Sequence, residues 1–316
     1  MTLKDELAAA NATPSARADA ALAAARSAAK GRIREVAKTG SHAVLVLPDA
    51  HFPYHDEAAT EIAVRVAALV KPARIVSLGD TIDAAAWTSF PARSIPEEAT
   101  HQYSQEIEQA GAWIDRVRAA AGGSPTWTYL EGNHEAHVER ECIRLGSMGR
   151  AIADLVSPRV LLTRGRPWMS WVPYVEPYPA GRKPPAGIRG MGLSHHKICS
   201  DLWAVHGWTI AKNAAQKHLD MLRGARSLVH GHTHRIQSVT EHDVDTGKLV
   251  RAWSPGHLGR TQPAWHHLSP TLWAHGVCVL FCEDACLENP DPRWTKYDVE
   301  IDRGQAVLPG GTSIHV

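Results

Sequence analysis

The stretch LVHGHTHRI, residues 228 to 236, sets His230, His232 and His234 at alternate positions around a glycine at the end of an apolar run. A strand repeats every two residues, so three histidines at this spacing would leave the preceding RSLVH on one face. That face makes a poor core. Burying several imidazoles costs free energy unless each finds a partner, and a metal ion is the partner that several neutral imidazoles share well. One histidine here would read as a polar turn after a strand. Three within five residues, in a chain with 19 histidines, read as ligands. The other ligands must then come from elsewhere in the chain.

Outward from this stretch, strand and helix patterns alternate. TIAKNAAQKHLDMLRG (209–224) is helical and leads into the strand before His230. Upstream, HAVLVLPDAH (42–51), ARIVSLGDTID (73–83) and PTWTYLEGNHE (125–135) are short apolar strands that end in polar residues. The amphipathic helices EAATEIAVRVAALVK (57–71) and ATHQYSQEIEQAGAWIDRVRAAAG (99–122) separate them. Alternation of this kind predicts an α/β fold with largely parallel strands and helices on the sheet faces, and in such folds active sites form beyond the carboxyl ends of strands. From about residue 236 onward, strands joined by turns predict a second, more antiparallel sheet.

Two segments break the pattern. Residues 1–40 are rich in alanine and predict a helical N-terminal extension, either packed on the catalytic domain (41–316) or joining two copies of the chain. Residues 157–190 interleave prolines and glycines with Arg164, Arg166, Trp168, Trp171 and Tyr174, which predicts an irregular insert or cap beside the cleft.

The strand ends deliver Asp49 and His51 (PDAH), Asp80 and Asp83 (GDTID), Asn133, His134 and Glu135 (GNHE), His206 (VHG), and His232 and His234 (GHTH). Each motif alone is a common polar turn. Together they bring hard oxygen and imidazole donors to five separate ends, with glycines that permit tight turns. His195 and His196 compete with His206, which the strand-like LWAVHG favours. His257, in SPGHLGR, either lines the cleft or is a plain turn residue, and His266 and His267 read as a polar loop.

These motifs, in this order from Asp49 to His234, resemble the calcineurin-like metallophosphoesterase superfamily: D-x-H, G-D-x-x-D, G-N-H-[DE], a further histidine, then G-H-x-H. DAHFPYHDEAA (49–59) and the tail WSPGHLGR (253–260) are similar to uncharacterised members common in phages and prophages. The resemblance implies two mixed β-sheets packed as a sandwich and flanked by helices. It also implies two divalent transition-metal ions, manganese, iron, zinc or nickel. Asp80 would bridge them, with Asp49, His51 and His234 on one ion and Asn133, His206 and His232 on the other. His134 would be the general acid, and Asp83, Glu135 and His230 would orient imidazoles from behind. Many relatives carry arginine two residues after the GNHE acid; here that residue is His137, with Arg140 as the substitute phosphate contact.

Composition excludes some classes and leaves others open. Lys+Arg is 34 and Asp+Glu 33, so no global field commits the chain to nucleic acid or to an anionic membrane. No stretch approaches the roughly 20 apolar residues of a membrane span, and the N-terminus carries no apolar signal core, which predicts a cytoplasmic protein. The five cysteines suit a reducing compartment, and Cys278, Cys282 and Cys286 read as core and turn residues. Three functions stand: a phosphodiesterase or nuclease using Arg164, Arg166 and Trp168 against nucleic acid, a phosphomonoesterase for nucleotides, metabolites or phosphoproteins, and a non-catalytic metal-binding module.

Overall fold

In the computed structural model, the described residues are 40–87, 102–174, 195–222, 226–263 and 271–316. The first strand shows why the chain reads as apolar runs. In β1 (Ser41–Leu47), Val44 and Val46 face one way and Leu45 and Leu47 the other, and all four are buried. A strand covered on both faces needs no polar alternation.

Helix α1 (Glu57–Val70) starts at Asp56, whose side chain accepts from Ala59 N at 2.8 Å, and it buries Ala59, Ile62, Ala63, Val66 and Ala67. This is one stripe at helical spacing, headed by a capping carboxylate. Then come β2 (Arg74–Ser77), α2 (Tyr103–Ala121), β3 (Thr126–Leu130), α3 (Asn133–Arg144), α4 (Gly146–Val156), α5 (Pro158–Thr163) and β4 (Met169–Val172). The chain continues with β5 (His195–Cys199), β6 (Leu202–Val205), α6 (Ala214–Leu222), β7 (Ser227–His230), β8 (Ile236–His242) and β9 (Leu249–Pro255). The last strands are β10 (His275–Glu283), β11 (Trp294–Asp302), β12 (Gln305–Val307) and β13 (Ser313–His315).

These strands form two mixed sheets. One has the order β13-β12-β11-β10-β1-β2-β3-β4, with β1 to β4 parallel and β10 to β13 antiparallel. The other has the order β5-β6-β7-β9-β8, with β6, β7 and β9 parallel. Val44, Val46, Val76, Leu78, Leu130 and Leu280 of the first sheet pack against Ile198, Leu202, Ala204, Val229 and Trp253 of the second. The opposite face of the first sheet is covered by α1 and α2, and that of the second by Ala215 and Leu219 of α6. The α/β sandwich that the sequence implied is therefore present, with helices on both outer faces.

Two expectations need correction. The segment after residue 236 does not build the second sheet by itself: β8 and β9 complete the sheet of β5 to β7, whereas β10 to β13 extend the sheet of β1 to β4. A strand's own pattern specifies its buried faces and leaves its partner open. Residues 157–190 are also not irregular throughout. Pro158, at the first turn where its missing N–H costs nothing, opens α5, and Met169–Val172 pair in parallel with Trp127–Leu130. Leu162 and Met169 are buried, and that burial ties the segment to the scaffold. Residues 175–190, like 1–39 and His266 and His267, lie outside the described residues. Among the described residues, no helix is long and apolar enough to cross a membrane.

Candidate metal centre

The parallel strands β1, β2, β3, β6, β7 and β9 all end on one side of the sandwich, and each expected ligand follows one of those ends. The connecting loops are laced together by backbone bonds. Ala50 N and His51 N both donate to Asp80 O at 3.0 Å, Gly231 N donates to His206 O at 2.8 Å, and Leu258 N donates to Asp49 O at 2.7 Å. His51, Asp80, His232 and His234 hold φ of 53°, 48°, 67° and 57°. Left-handed backbone at a residue other than glycine costs on the order of 1–3 kcal/mol and persists only where the surroundings impose it. Four such residues converge here, each held by the loops around it. Two glycines make room for the carboxylates: a Cβ at Gly132 would lie on Asp80 Oδ1, and one at Gly231 on Asp49 Oδ2.

The donor atoms of the expected ligands form two groups, Asp49 with His51 and His234, and Asp80 with His206 and His232, and His51 also groups with Asp83 and His134. In the first, His51 Nε2 and His234 Nε2 face each other at 3.0 Å, and the buried Asp49 Oδ2 has no hydrogen-bond partner. His51 Nδ1 lies 3.0 Å from Asp83 Oδ1, so Nδ1 carries a hydrogen and Nε2 is the nitrogen that faces inward. In the second, His206 Nδ1 donates to Leu78 O at 2.7 Å. Its Nε2 lies 2.9 Å from Asn133 Oδ1 and 3.2 Å from Asp80 Oδ2. These inward atoms are imidazole nitrogens and carboxylate or amide oxygens, the donor types that hold divalent metal. Buried this close, they repel unless a proton or a metal cation lies among them, so the donor set fits divalent metal.

The titration behaviour points the same way. Burial works against a charged His51, but its bond to Asp83 and the charges of Asp80, Asp83 and Asp49 outweigh this and raise it to about 9. His206 is opposed by burial too, and Asp80, Asp49 and the Leu78 carbonyl raise it to about 9. Burial, with His206 adding to it, takes His232 down to about 3, and burial with His51 takes His234 well below its ordinary value. Burial raises Asp49 to about 6, with His206 opposing, whereas for Asp80 the charges of His206 and His134 overcome burial and hold it well below the usual range. The cluster demands positive charge, and some of its imidazoles refuse a proton.

His134 stands at the rim. Its ring meets His51 edge-on at 4.6 Å, and its side chain keeps 25% exposure against 1% for His206. Nδ1 donates to the Asp83 carbonyl at 2.6 Å, with Asp83 Oδ1 at 3.5 Å, which leaves Nε2 as the ring nitrogen not engaged by Asp83. Asp83 thus holds two imidazoles, His51 through its carboxylate and His134 through its carbonyl. Glu135 and His230 do something else. Glu135 touches no imidazole; it accepts from the N–H groups of Asp80, Thr81, Ile82 and Gly132 and from Tyr129 Oη. It pins the β2 loop to the start of α3. His230 stacks on His218 at 4.1 Å, its Nδ1 bonded to Gly231 O, away from the donor groups.

The expected substrate contacts divide. His257 is fully buried, stacks on His234 at 4.8 Å, and neither ring nitrogen has a hydrogen-bond partner, so it belongs to the centre and is no plain turn residue. His195 and His196 lie on β5, with His195 stacked on Trp203, outside both donor groups. Arg140 donates to the carbonyls of Ala136 and Asn133 on its own helix. His137 packs edge-on at 5.7 Å from His134. Arg164, Arg166 and Trp168 precede β4, at the end of the sheet opposite the centre, and their expected place beside the cleft is wrong. Arg166 clamps Asp115 with two bonds of 2.8 and 2.7 Å, and Trp168 packs beside Trp127 under the Arg118 guanidinium. Local sequence could not show that a strand separates these residues from the site.

Two aromatics that do flank the centre were missed as site residues. Tyr174, just past β4, lies 6.0 Å from the His206 ring, and Trp273 lies edge-on at 4.4 Å from His234. Their signal was positional, Tyr174 beyond a strand end and Trp273 two residues before β10.

No family model and no curated protein matches the chain. Among solved structures, Vacuolar Protein Sorting 29 from Cryptosporidium parvum is similar at 12% identity and a TM-score of 0.38, covering 87% of this chain and 99% of that one. Vps29 from Chaetomium thermophilum shares 13% identity at a TM-score of 0.35, covering 83% and 97%. A hypothetical protein from Thermus thermophilus shares 11% at 0.37, covering 82% and 100%.

Proposed function

We propose that the chain is a phosphoesterase that depends on two divalent metal ions and prefers phosphodiesters. The observation that carries this reading is the convergence of buried metal-donor atoms: Asp49 Oδ2 without a hydrogen-bond partner, the 3.0 Å contact of His51 and His234, and His206 Nε2 between two oxygens. Asp49, His51, His234 and Asp80 would hold one ion, and Asp80, Asn133, His206 and His232 the other. Bound there, the pair would supply a nucleophile at neutral pH by lowering the pKa of water, and would draw charge from the phosphoryl oxygens.

The chain's own residues do the rest. Asp83 fixes the His51 tautomer and, through its carbonyl, holds the His134 ring, whose Nε2 would give a proton to the departing oxygen. Glu135 holds Asp80 in its left-handed turn, so the bridging carboxylate is set before any ligand arrives. Tyr174 and Trp273 offer aromatic faces on two sides, which suits an aryl or nucleobase group on the leaving oxygen. A diester carries one negative charge, and the flanking of this centre by aromatics and imidazoles favours it over a dianionic monoester. With Arg166 committed to Asp115, a DNA platform on residues 164–168 is not part of the proposal.

The test is hydrolysis by manganese-loaded protein of a bis-aryl phosphodiester, an aryl phosphomonoester, and single- and double-stranded DNA. Faster turnover of the diester is expected. Monoester preference would replace the substrate assignment, and no hydrolysis of any of them would leave a metal-binding module.

A further inference from the structure

Cysteines 199, 282 and 286 come from three places, the end of β5, the end of β10 and the turn after β10. The register shift between Lys197 and Cys199 in the β5–β6 pair is an irregularity of the kind that re-aims a side chain. Cys286 N donates to Glu283 O at 3.1 Å and Ser200 N to Cys286 O at 2.9 Å, so the turn is bound to the end of β5. The result is three buried sulfurs within 4.8 Å of one another. All five cysteines are free thiols.

A cation lies against them. Arg74, the first residue of β2, donates through Nη2 to Ile198 O at 2.8 Å and to Cys286 Sγ at 3.8 Å. Its buried Nε has no partner, and no carboxylate pairs with it among the described residues. A guanidinium held in a sandwich edge without a counter-ion points to negative charge on the sulfurs. Without an ion the cluster favours one thiolate: Cys282 is lowered by hydrogen bonding from Cys199, against burial, whereas that same bond raises Cys199 and burial raises Cys286.

We propose that Cys199, Cys282 and Cys286 form a separate thiolate site for one divalent thiophilic ion of the zinc class, at the end of the sandwich opposite the imidazole cluster. Three sulfurs select a soft ion, and a divalent one fits the charge: three thiolates, the ion and Arg74 sum to zero. Uptake releases the thiol protons to solvent. Cys286 Sγ donates to the Ile198 carbonyl at 3.4 Å, and loss of that thiol proton would free the oxygen, which also accepts from Arg74, to act as a fourth donor. Three cysteines packed as small apolar side chains are the alternative, and a disulfide between two of them is another.

The experiment uses full-length protein produced in cadmium-supplemented culture and purified without denaturation, so the ion can enter as the chain folds. The readout is the near-ultraviolet thiolate-to-cadmium absorption, which imidazole and carboxylate ligands do not give. One thiolate-bound cadmium per chain is expected in the wild type and in Asp80→Ala, and none in Cys282→Ser or Cys286→Ser. Survival of the Asp80→Ala signal separates this site from the catalytic reading. Should the serine variants fail to fold, Arg74→Met, which keeps the sulfurs and removes the counter-charge, should weaken cadmium retention at least tenfold. Absence of the band in reduced wild-type protein overturns the proposal, as does a thiol count of three in denaturant.

Discussion

His134 and Asp80 carry separable roles. Replacing His134 with alanine or asparagine should lower turnover by about 10²–10⁴-fold and leave metal content near wild type, because in the proposed function the ring would donate a proton and hold no ion. The loss should shrink for a nitrophenolate leaving group, which needs no proton. Equal losses on good and poor leaving groups would remove His134 from the acid role. The donor residues were legible because each follows a strand end within a short motif. Glu135 was legible as an acid and misjudged in its role, since its partners are backbone N–H groups with no mark in the sequence. Tyr174 and Trp273 were legible as aromatics and missed as neighbours of the centre, because only the chain path brings them there.

Elements decide what the residues before β4 can do. Arg166→Ala breaks the clamp on Asp115 and should cost about 1 kcal/mol, the scale of a partly exposed ion pair, while turnover per folded molecule stays unchanged. Trp168→Ala should cost stability as well, up to the roughly 3 kcal/mol at which losses of fully buried aromatics begin. Melting temperature measured beside kinetics on both variants decides, and altered KM with unchanged melting would return these residues to the cleft.

Helix α2 adds a pH effect. Its buried Glu106 accepts from Ala84 N at 2.7 Å, and burial, reinforced by the Asp83 charge, pushes its carboxyl up to about 8 from the ordinary 4.5. A folded-state value above the unfolded one means that the folded chain binds the extra proton. Stability is then fully present below pH 4.5 and declines as pH rises through about 8. Glu106→Gln should flatten that decline in urea melts run from pH 5 to pH 8.5, and an unchanged slope would show that Glu106 is not its source.

At the scale of the molecule, the alternating half of the sequence announced its architecture, because strands covered on both faces write themselves as continuous apolar runs between amphipathic helices. The later half did not, since the partners of β8 to β13 are chosen by long-range packing that no local period encodes. The outcome places the carboxyl ends of six parallel strands together and holds four ligand residues in left-handed backbone. On the proposed function, such a preformed site would bind metal in the folded state alone, so manganese should raise the melting temperature in proportion to the logarithm of its concentration, and a chelator should reverse the rise.

The most direct measurement is the manganese content of the purified chain, wild type beside Asp80→Ala and Asp49→Ala, by elemental analysis after equilibration with that metal. Manganese is chosen because thiolates select softer ions. Two ions per chain in the wild type, none held by Asp80→Ala and one by Asp49→Ala are the predicted values. Trace metal in the wild type, or two ions retained by Asp80→Ala, would contradict a bridged pair at the strand ends.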